Sequence, residues 1–142
     1  MILLDTKVIS EPLKGAGDAS VLAWIDAQIM ETLYLCTFSL AELRFGIAVL
    51  PAGRRRQGLQ DSLEQRVLPL FVGRLLDFDD AASRTYASLR ARARKTGNAI
   101  APADGYIAAI AVTRGFTVAT RDTAPFVAAG LKVIDPWTWQ SH

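Results

Sequence analysis

Four acidic residues stand where a carboxylate is better placed for chemistry than for folding. Asp5 directly follows the apolar run Ile2–Leu4, and Glu42 comes three residues after Ser39. Asp104 lies two residues after Pro102, and Asp122 lies just beyond the apolar stretch Phe116–Ala119. Carboxylates crowded together repel, because each charge raises the cost of ionising the next. Helix N-termini relieve part of that cost, and a bound divalent cation relieves more. An all-oxygen donor set selects Mg²⁺, with Mn²⁺ as the alternative. His142 is the single histidine and Cys36 the single cysteine. A zinc site therefore has no ligand set, and a Ser-His-Asp or Cys-His hydrolase has no base. No glycine-rich phosphate loop ending in Gly-Lys-Ser/Thr occurs.

Each acid also has a plain structural role to weigh. Ser39-Leu-Ala-Glu42 fits a capping box, in which the glutamate returns a hydrogen bond to the cap. Asp122 fits an N-cap, and Asp104 fits an acid complementing a helix dipole. Asp5 has no such role, since folding seldom needs an acid directly after an apolar strand. Asp77, Asp79 and Asp80 form a tighter cluster, but Asp79 reads as an N-cap with Asp80 in the first turn.

The elements that must position these residues follow from periodicity. Ile2–Leu4, Leu33–Leu35, Leu75–Phe78, Phe116–Ala119 and Leu131–Ile134 read as short buried strands. A helix start is expected at Asp5-Thr6. Leu40, Leu43, Ile47 and Leu50 predict a helix over Ser39–Leu50, and Leu59, Leu63, Val67 and Leu70 predict one over 57–70. Asp79 to Lys95 is a long helix ended near Gly97, and Pro102–Thr113 a shorter one closed by Gly115. Strands alternating with helices imply an α/β fold, a parallel sheet with helices on both faces. In such sheets ligands bind beyond the carboxyl ends of the strands, near a topological switch point. All four acids are expected at that edge.

The 142 residues, 51% of them hydrophobic, suit one domain with an ordinary core. We expect that domain over residues 1–137, with 138–142 as a C-terminal tail. A lone cysteine suits a reducing cytoplasm. No signal-like segment and no run approaching the ~20 apolar residues of a membrane helix is present, so no membrane association is expected. A net charge of +2 does not by itself announce nucleic-acid binding. Arg54–Arg56 and the group Arg90, Arg92, Arg94 and Lys95 could meet phosphates. The plainer reading of each is a solvated helix face.

The motifs together resemble those of the VapC-like PIN-domain toxins, in particular the FitB-like group. Met-Ile-Leu-Leu-Asp5-Thr6-Lys7-Val-Ile-Ser-Glu11 is similar to that family's opening. Ser39-Leu-Ala-Glu42-Leu is similar to its second motif, Ala103-Asp104-Gly-Tyr-Ile-Ala-Ala to its third, and Thr120-Arg121-Asp122-Thr to its fourth. The ending Val133-Ile-Asp-Pro-Trp137 is similar as well, so the likeness runs from residue 1 to about 137. The resemblance implies a PIN-domain fold with a parallel five-stranded sheet, a homodimer, and a Mg²⁺- or Mn²⁺-dependent endoribonuclease. It also implies a cognate antitoxin that blocks the acidic pocket, with operator DNA bound only through that complex. Asp5, Asp104 and Asp122 would then hold metal, Glu42 would join them in catalysis, and Thr6 and Thr120 would support them.

One position departs from the pattern. The family usually has Asn two residues after the first Asp, where this chain has Lys7. Three readings stand: the lysine pairs with a carboxylate and weakens metal binding, it contacts the scissile phosphate, or it points to solvent. The first reading leads to an alternative function, a catalytically weakened PIN fold acting as a binding module with a DNA-binding antitoxin. A DNA-directed nuclease is a further alternative, because the motifs report metal chemistry rather than the sugar. A receiver-like phosphoacceptor domain fits poorly. It needs an adjacent acid pair after the first strand and a lysine after the last, whereas Asp5 stands alone and Lys132 falls inside the last strand.

Overall fold

The computed structural model describes residues 1–140. Five strands form one parallel sheet: β1 (Ile2–Leu4), β2 (Leu33–Cys36), β3 (Leu75–Leu76), β4 (Thr117–Ala119) and β5 (Val133–Ile134). Their order is β3-β2-β1-β4-β5, with every neighbouring pair parallel. The helices are α1 (Thr6–Ser10), α2 (Ala19–Ala27), α3 (Thr37–Ala48), α4 (Arg54–Asp61), α5 (Asp80–Lys95), α6 (Pro102–Arg114) and α7 (Thr123–Ala128).

Side chains along a strand alternate between faces, and here each face has its own core. Leu3, Cys36 and Val118 point into one core, which Leu89, Ile107, Ile110 and Phe126 fill from α5, α6 and α7. Leu4, Leu33, Leu35 and Ala119 point into the other, filled by Val8, Val21, Trp24, Leu40 and Leu43 from α1, α2 and α3. Trp24 and Phe126 are the largest fully buried side chains. Each stabilises the fold by roughly 1.5–3 kcal/mol relative to exposure. Trp139, in the stretch expected to be a tail, packs against the second core. Ser141 and His142, the rest of that stretch, lie outside the described residues.

Several boundaries differ from expectation for local reasons. The helix expected over 57–70 begins at Arg54, widens to a π turn over Ser62–Val67 and tightens to 3-10 over Leu68–Phe71. Pro69 explains the change, because it has no N–H to continue the α-helical ladder. The third strand ends at Leu76 rather than Phe78, since Asp79 already caps α5 by accepting the Ala82 N–H at 2.9 Å. β4 and β5 are shorter at their starts, at Thr117 and Val133. Gly97 and Gly115 adopt the expected left-handed conformation, with φ of 78° and 71°. Two helices, α2 and α7, went unread because their apolar residues make no extended 3.6-residue stripe.

For the site, the order of the strands matters most. The chain moves outward from β1 through β2 to β3, then returns to lay β4 on the other side of β1. The switch point therefore lies between β1 and β4, and Asp5 and Asp122 follow those two strands.

Candidate active site at the β1–β4 edge

Asp5 directly follows β1 and serves as the N-cap of α1. Its Oδ1 accepts the Thr6 N–H at 2.7 Å, and its Oδ2 accepts the Thr120 hydroxyl at 2.9 Å. Asp5 and Thr120 are both buried, and the Asp5 N–H donates to the Ala119 carbonyl at 2.9 Å. The first and fourth motifs are thus joined by one hydroxyl. Thr120 Oγ1 also accepts the Asp122 N–H at 3.2 Å, fixing the turn that presents Asp122.

Glu42 approaches from the β2 side. The capping-box reading of Ser39 and Glu42 is overturned: α3 begins at Thr37, with Cys36 at the N-cap and no side-chain cap bond. Ser39 is wholly buried and accepts the Cys36 thiol at 3.4 Å, and burial pushes that thiol's pKa up. Glu42 is thereby released from capping, and its Oε1 accepts the Thr6 hydroxyl at 2.6 Å. Thr6 and Thr120, named as supporting residues, tether Glu42 and Asp5 respectively.

Asp104 lies half-buried in the first turn of α6, as the dipole argument expects. Asp122 occupies the N-cap position of α7, but its side chain makes no cap hydrogen bond there. The plain N-cap reading of Asp122 therefore fails, and its exposed carboxylate is left to the site.

Electrostatics ties the acids together. Burial, above all, pushes the Asp5 carboxyl above its ordinary range; the bonds from Thr120 and Thr6 pull down without outweighing it, Glu42 pushes up, and Lys7 pulls down. Burial likewise raises Asp104, with Asp122, Asp5 and Glu42 adding repulsion and Lys7 opposing it. Lys7 is exposed and forms no ion pair within 4 Å among the described residues, yet its charge reaches both carboxylates. Of the three readings of Lys7, this excludes a close carboxylate pair in the folded chain.

Among the described residues no three His, Cys, Asp or Glu side chains gather closely enough to enclose one ion. Hard oxygen donors carrying mutual repulsion fit a divalent cation that keeps several waters and takes one or two carboxylates directly, and Asp5, Asp104 and Asp122 are the residues from which those would come.

Arg121, part of the fourth motif, makes a contact that the sequence does not signal. It follows Thr120 and lies with its guanidinium 5.3 Å from the centre of the Trp137 ring. Nothing in local spacing signals this contact, because Trp137 reaches it from beyond β5.

An α/β fold carrying four acids around a parallel-sheet switch point is the architecture of the PIN domain. The sequence profile of the PIN domain matches residues 2–131, and the chain belongs to that family. VapC ribonuclease Y4jK of Sinorhizobium fredii is 61% identical over 137 residues, covering 96% of this chain and 98% of that protein. Toxin FitB of Neisseria gonorrhoeae is 50% identical over 137 residues, covering 96% and 99%. A solved structure of FitAB bound to an IR36 DNA fragment contains a chain with TM-score 0.94 and 48% identity, covering 100% of this chain and 99% of that one.

Proposed function

We propose that this protein is the toxin of a type II toxin–antitoxin pair, a divalent-metal-dependent endoribonuclease that hydrolyses phosphodiester bonds of RNA. The observation that carries the reading is Asp5. It is buried and hydrogen-bonded to Thr120 and Thr6, among like charges, and has no cation within ion-pair distance among the described residues. Relatives named as a VapC ribonuclease and a toxin support the class of activity.

In this reading Asp5, Asp104 and Asp122 hold Mg²⁺, or Mn²⁺ in its place. When bound, the ion polarises a phosphodiester oxygen and lowers the pKa of a water. Thr120 and Thr6 fix the orientation of the Asp5 carboxylate, one at each oxygen. Glu42, exposed and steadied at one oxygen by Thr6, is the acid best placed to accept the proton of the attacking water. The protein works as a homodimer in the cytoplasm and reaches operator DNA through its antitoxin complex. Support for the partner comes from the FitAB assembly on DNA. Among the described residues no helix is long and apolar enough to cross a membrane.

A groove of 640 Å³ includes Glu42 in its lining, together with the apolar Leu13, Leu43 and Leu59 and the exposed Lys14, Arg54 and Arg55. An antitoxin segment lying there would cover Glu42, giving Arg54 and Arg55 a role beyond a solvated face. Arg56 is partly used already, donating to the Leu50 carbonyl at 3.4 Å.

The test is cleavage of single-stranded RNA by the purified chain, freed of partner. Activity is expected with Mg²⁺ or Mn²⁺ and none in excess chelator. Full activity in chelator would refute the metal-dependent reading.

A further inference from the structure

Helices α5 and α6 meet across a contact that the chemistry above leaves unused, and this contact holds the start of the helix carrying Asp104. α6 opens without a side-chain cap, with Ala101 at the N-cap and Pro102 in the first turn. Its opening is gripped from α5 instead. Arg90 Nε donates to the Ile100 carbonyl, just ahead of the N-cap, at 3.2 Å. Arg90 Nη1 donates to the Tyr86 hydroxyl at 2.8 Å, and the guanidinium carbon lies 5.3 Å from the Tyr86 ring centre. The Tyr86 ring stacks on Tyr106 at 4.7 Å and 11° between planes. Phe38 and Phe78 close on Tyr106 at 4.9 and 5.0 Å.

Gly105, between Asp104 and Tyr106, completes the arrangement. A Cβ at this position would lie 3.0 Å from Tyr86 Cε2 and 3.1 Å from Arg90 Cδ. Such contacts are tighter than side chains normally accept, so the first turn of α6 is seated against α5 as closely as a glycine allows. The turn that carries Asp104 is thus held on both sides of that residue, through the Ile100 carbonyl before it and the Tyr106 ring after it.

We propose that Arg90, acting with Tyr86 and Gly105, is a positioning residue that sets the Asp104 carboxylate relative to Asp5 and Asp122. The role rests on the reading of these acids as a metal-dependent site. Arginine suits the place because its flat guanidinium can lie against a ring while donating in its own plane to two separated acceptors, a geometry a compact ammonium does not reproduce. Its neighbours Arg92 and Arg94 are exposed, so the basic group in this helix divides into one clamp and a solvated face.

The experiment compares the full chain with Arg90→Lys and Gly105→Ala. Arg84→Gln serves as an exposed control on the same helix, removing only a surface pair with Asp80. Three quantities are read: amide hydrogen exchange over residues 99–107, Mn²⁺ affinity by calorimetry without RNA, and kcat and KM on single-stranded RNA. Arg90→Lys should speed exchange in that segment alone and weaken Mn²⁺ binding several-fold. It should also lower kcat by ~10- to ~100-fold with KM nearly unchanged, the scale of a displacement near 1 Å. Gly105→Ala should lose comparable kcat, because its Cβ forces α6 away from Tyr86 and Arg90, with the gain in helix propensity offsetting part of the packing cost. Arg84→Gln should match the parent protein. Unchanged exchange in Arg90→Lys, or faster exchange with parental Mn²⁺ affinity and kcat, overturns the proposal. Faster exchange with weaker Mn²⁺ binding upholds it even where the parent cuts no RNA, an outcome that removes the ribonuclease reading alone. A parent that binds no Mn²⁺ overturns both.

Discussion

Two buried carboxylates, Asp5 and Glu11, lie near each other in the chain and behave in opposite ways. Both expose little surface, at 7% and 6%, but Asp5 lies deep in the protein whereas Glu11 is covered only by a thin local loop. Burial, the largest influence on Glu11, pushes its carboxyl up, but Lys14 and the Asp18 N–H outweigh it and hold the group below its ordinary range. Lys14 Nζ donates to it at 2.9 Å and the Asp18 N–H at 3.0 Å. Gly17 lets the loop close around it, since a Cβ there would meet the Glu11 carbonyl oxygen at 2.5 Å. Asp5 also receives two hydrogen bonds, yet its carboxyl is held up, because its burial outweighs them, Glu42 adds repulsion, and no cation pairs with it within 4 Å among the described residues. Glu11 carries its own counter-charge; in the proposed reading Asp5 takes one from a bound cation.

The comparison is broken most severely at Asp5. Asp5→Asn should lower RNA cleavage by more than ~100-fold, beyond the 10- to 100-fold typical of losing a group that only supports a metal ligand. Its metal-free fold should melt no lower than the parent, because a repelled charge has been removed. A variant that unfolds while keeping full activity per folded molecule would make Asp5 a structural residue.

Glu11→Gln should do the reverse. Breaking the Lys14 pair and weakening the bond to the Asp18 N–H should cost about 1–3 kcal/mol of stability while leaving cleavage per folded molecule unchanged. The pH dependence carries a definite sign. A depressed folded pKa gives stability that is present above the unfolded pKa and lost as pH falls through the folded value. The gap in urea-unfolding stability between parent and Glu11→Gln should therefore narrow on acidification below about pH 5. A constant gap across that range would show that the carboxylate charge is not what Glu11 contributes.

Thr120→Val probes how Asp5 is held. It removes the hydroxyl bonded to both Asp5 Oδ2 and the Asp122 N–H, and should lower kcat about 10-fold with a small change in melting. Parental kcat would mean that Asp5 needs no such orientation.

These contrasts also show what the sequence alone could convey. The places of Asp5, Asp104 and Asp122 in the fold were legible because strand ends and first helical turns leave local signatures. The parallel sheet was legible because apolar strands alternate with helical stripes. Glu42 stands out in sequence by its place near the start of a helix, but its local environment is not what the spacing suggests. Ser39 looks like a cap in sequence, and only the packing of Cys36 shows that the helix starts two residues earlier. The Arg90 clamp and the Arg121–Trp137 pair were illegible, since each joins residues whose proximity is decided by packing between elements. Glu11 sat in plain view within the first motif, and nothing local said that Lys14 and Asp18 would fold back onto it.

The smallest expected effect belongs to Lys7. Its ammonium lowers both Asp5 and Asp104 from an exposed position, so it competes with a cation through screened solvent. Lys7→Asn should lower the half-saturating Mg²⁺ concentration for cleavage by roughly 2- to 10-fold, well below the limit for a close pair. An unchanged value would place Lys7 outside the metal's reach, and a raised one would assign it to substrate.

The contrast between the two acids is tested most directly by melting the parent, Asp5→Asn and Glu11→Gln with and without saturating Mn²⁺. A ligand at 100 times its dissociation constant stabilises the state it binds by about 2.7 kcal/mol. The parent and Glu11→Gln should both gain a stabilisation of that order, from different starting points, and Asp5→Asn should gain almost none. Equal Mn²⁺ stabilisation of all three proteins would contradict the assignment of Asp5 to the metal.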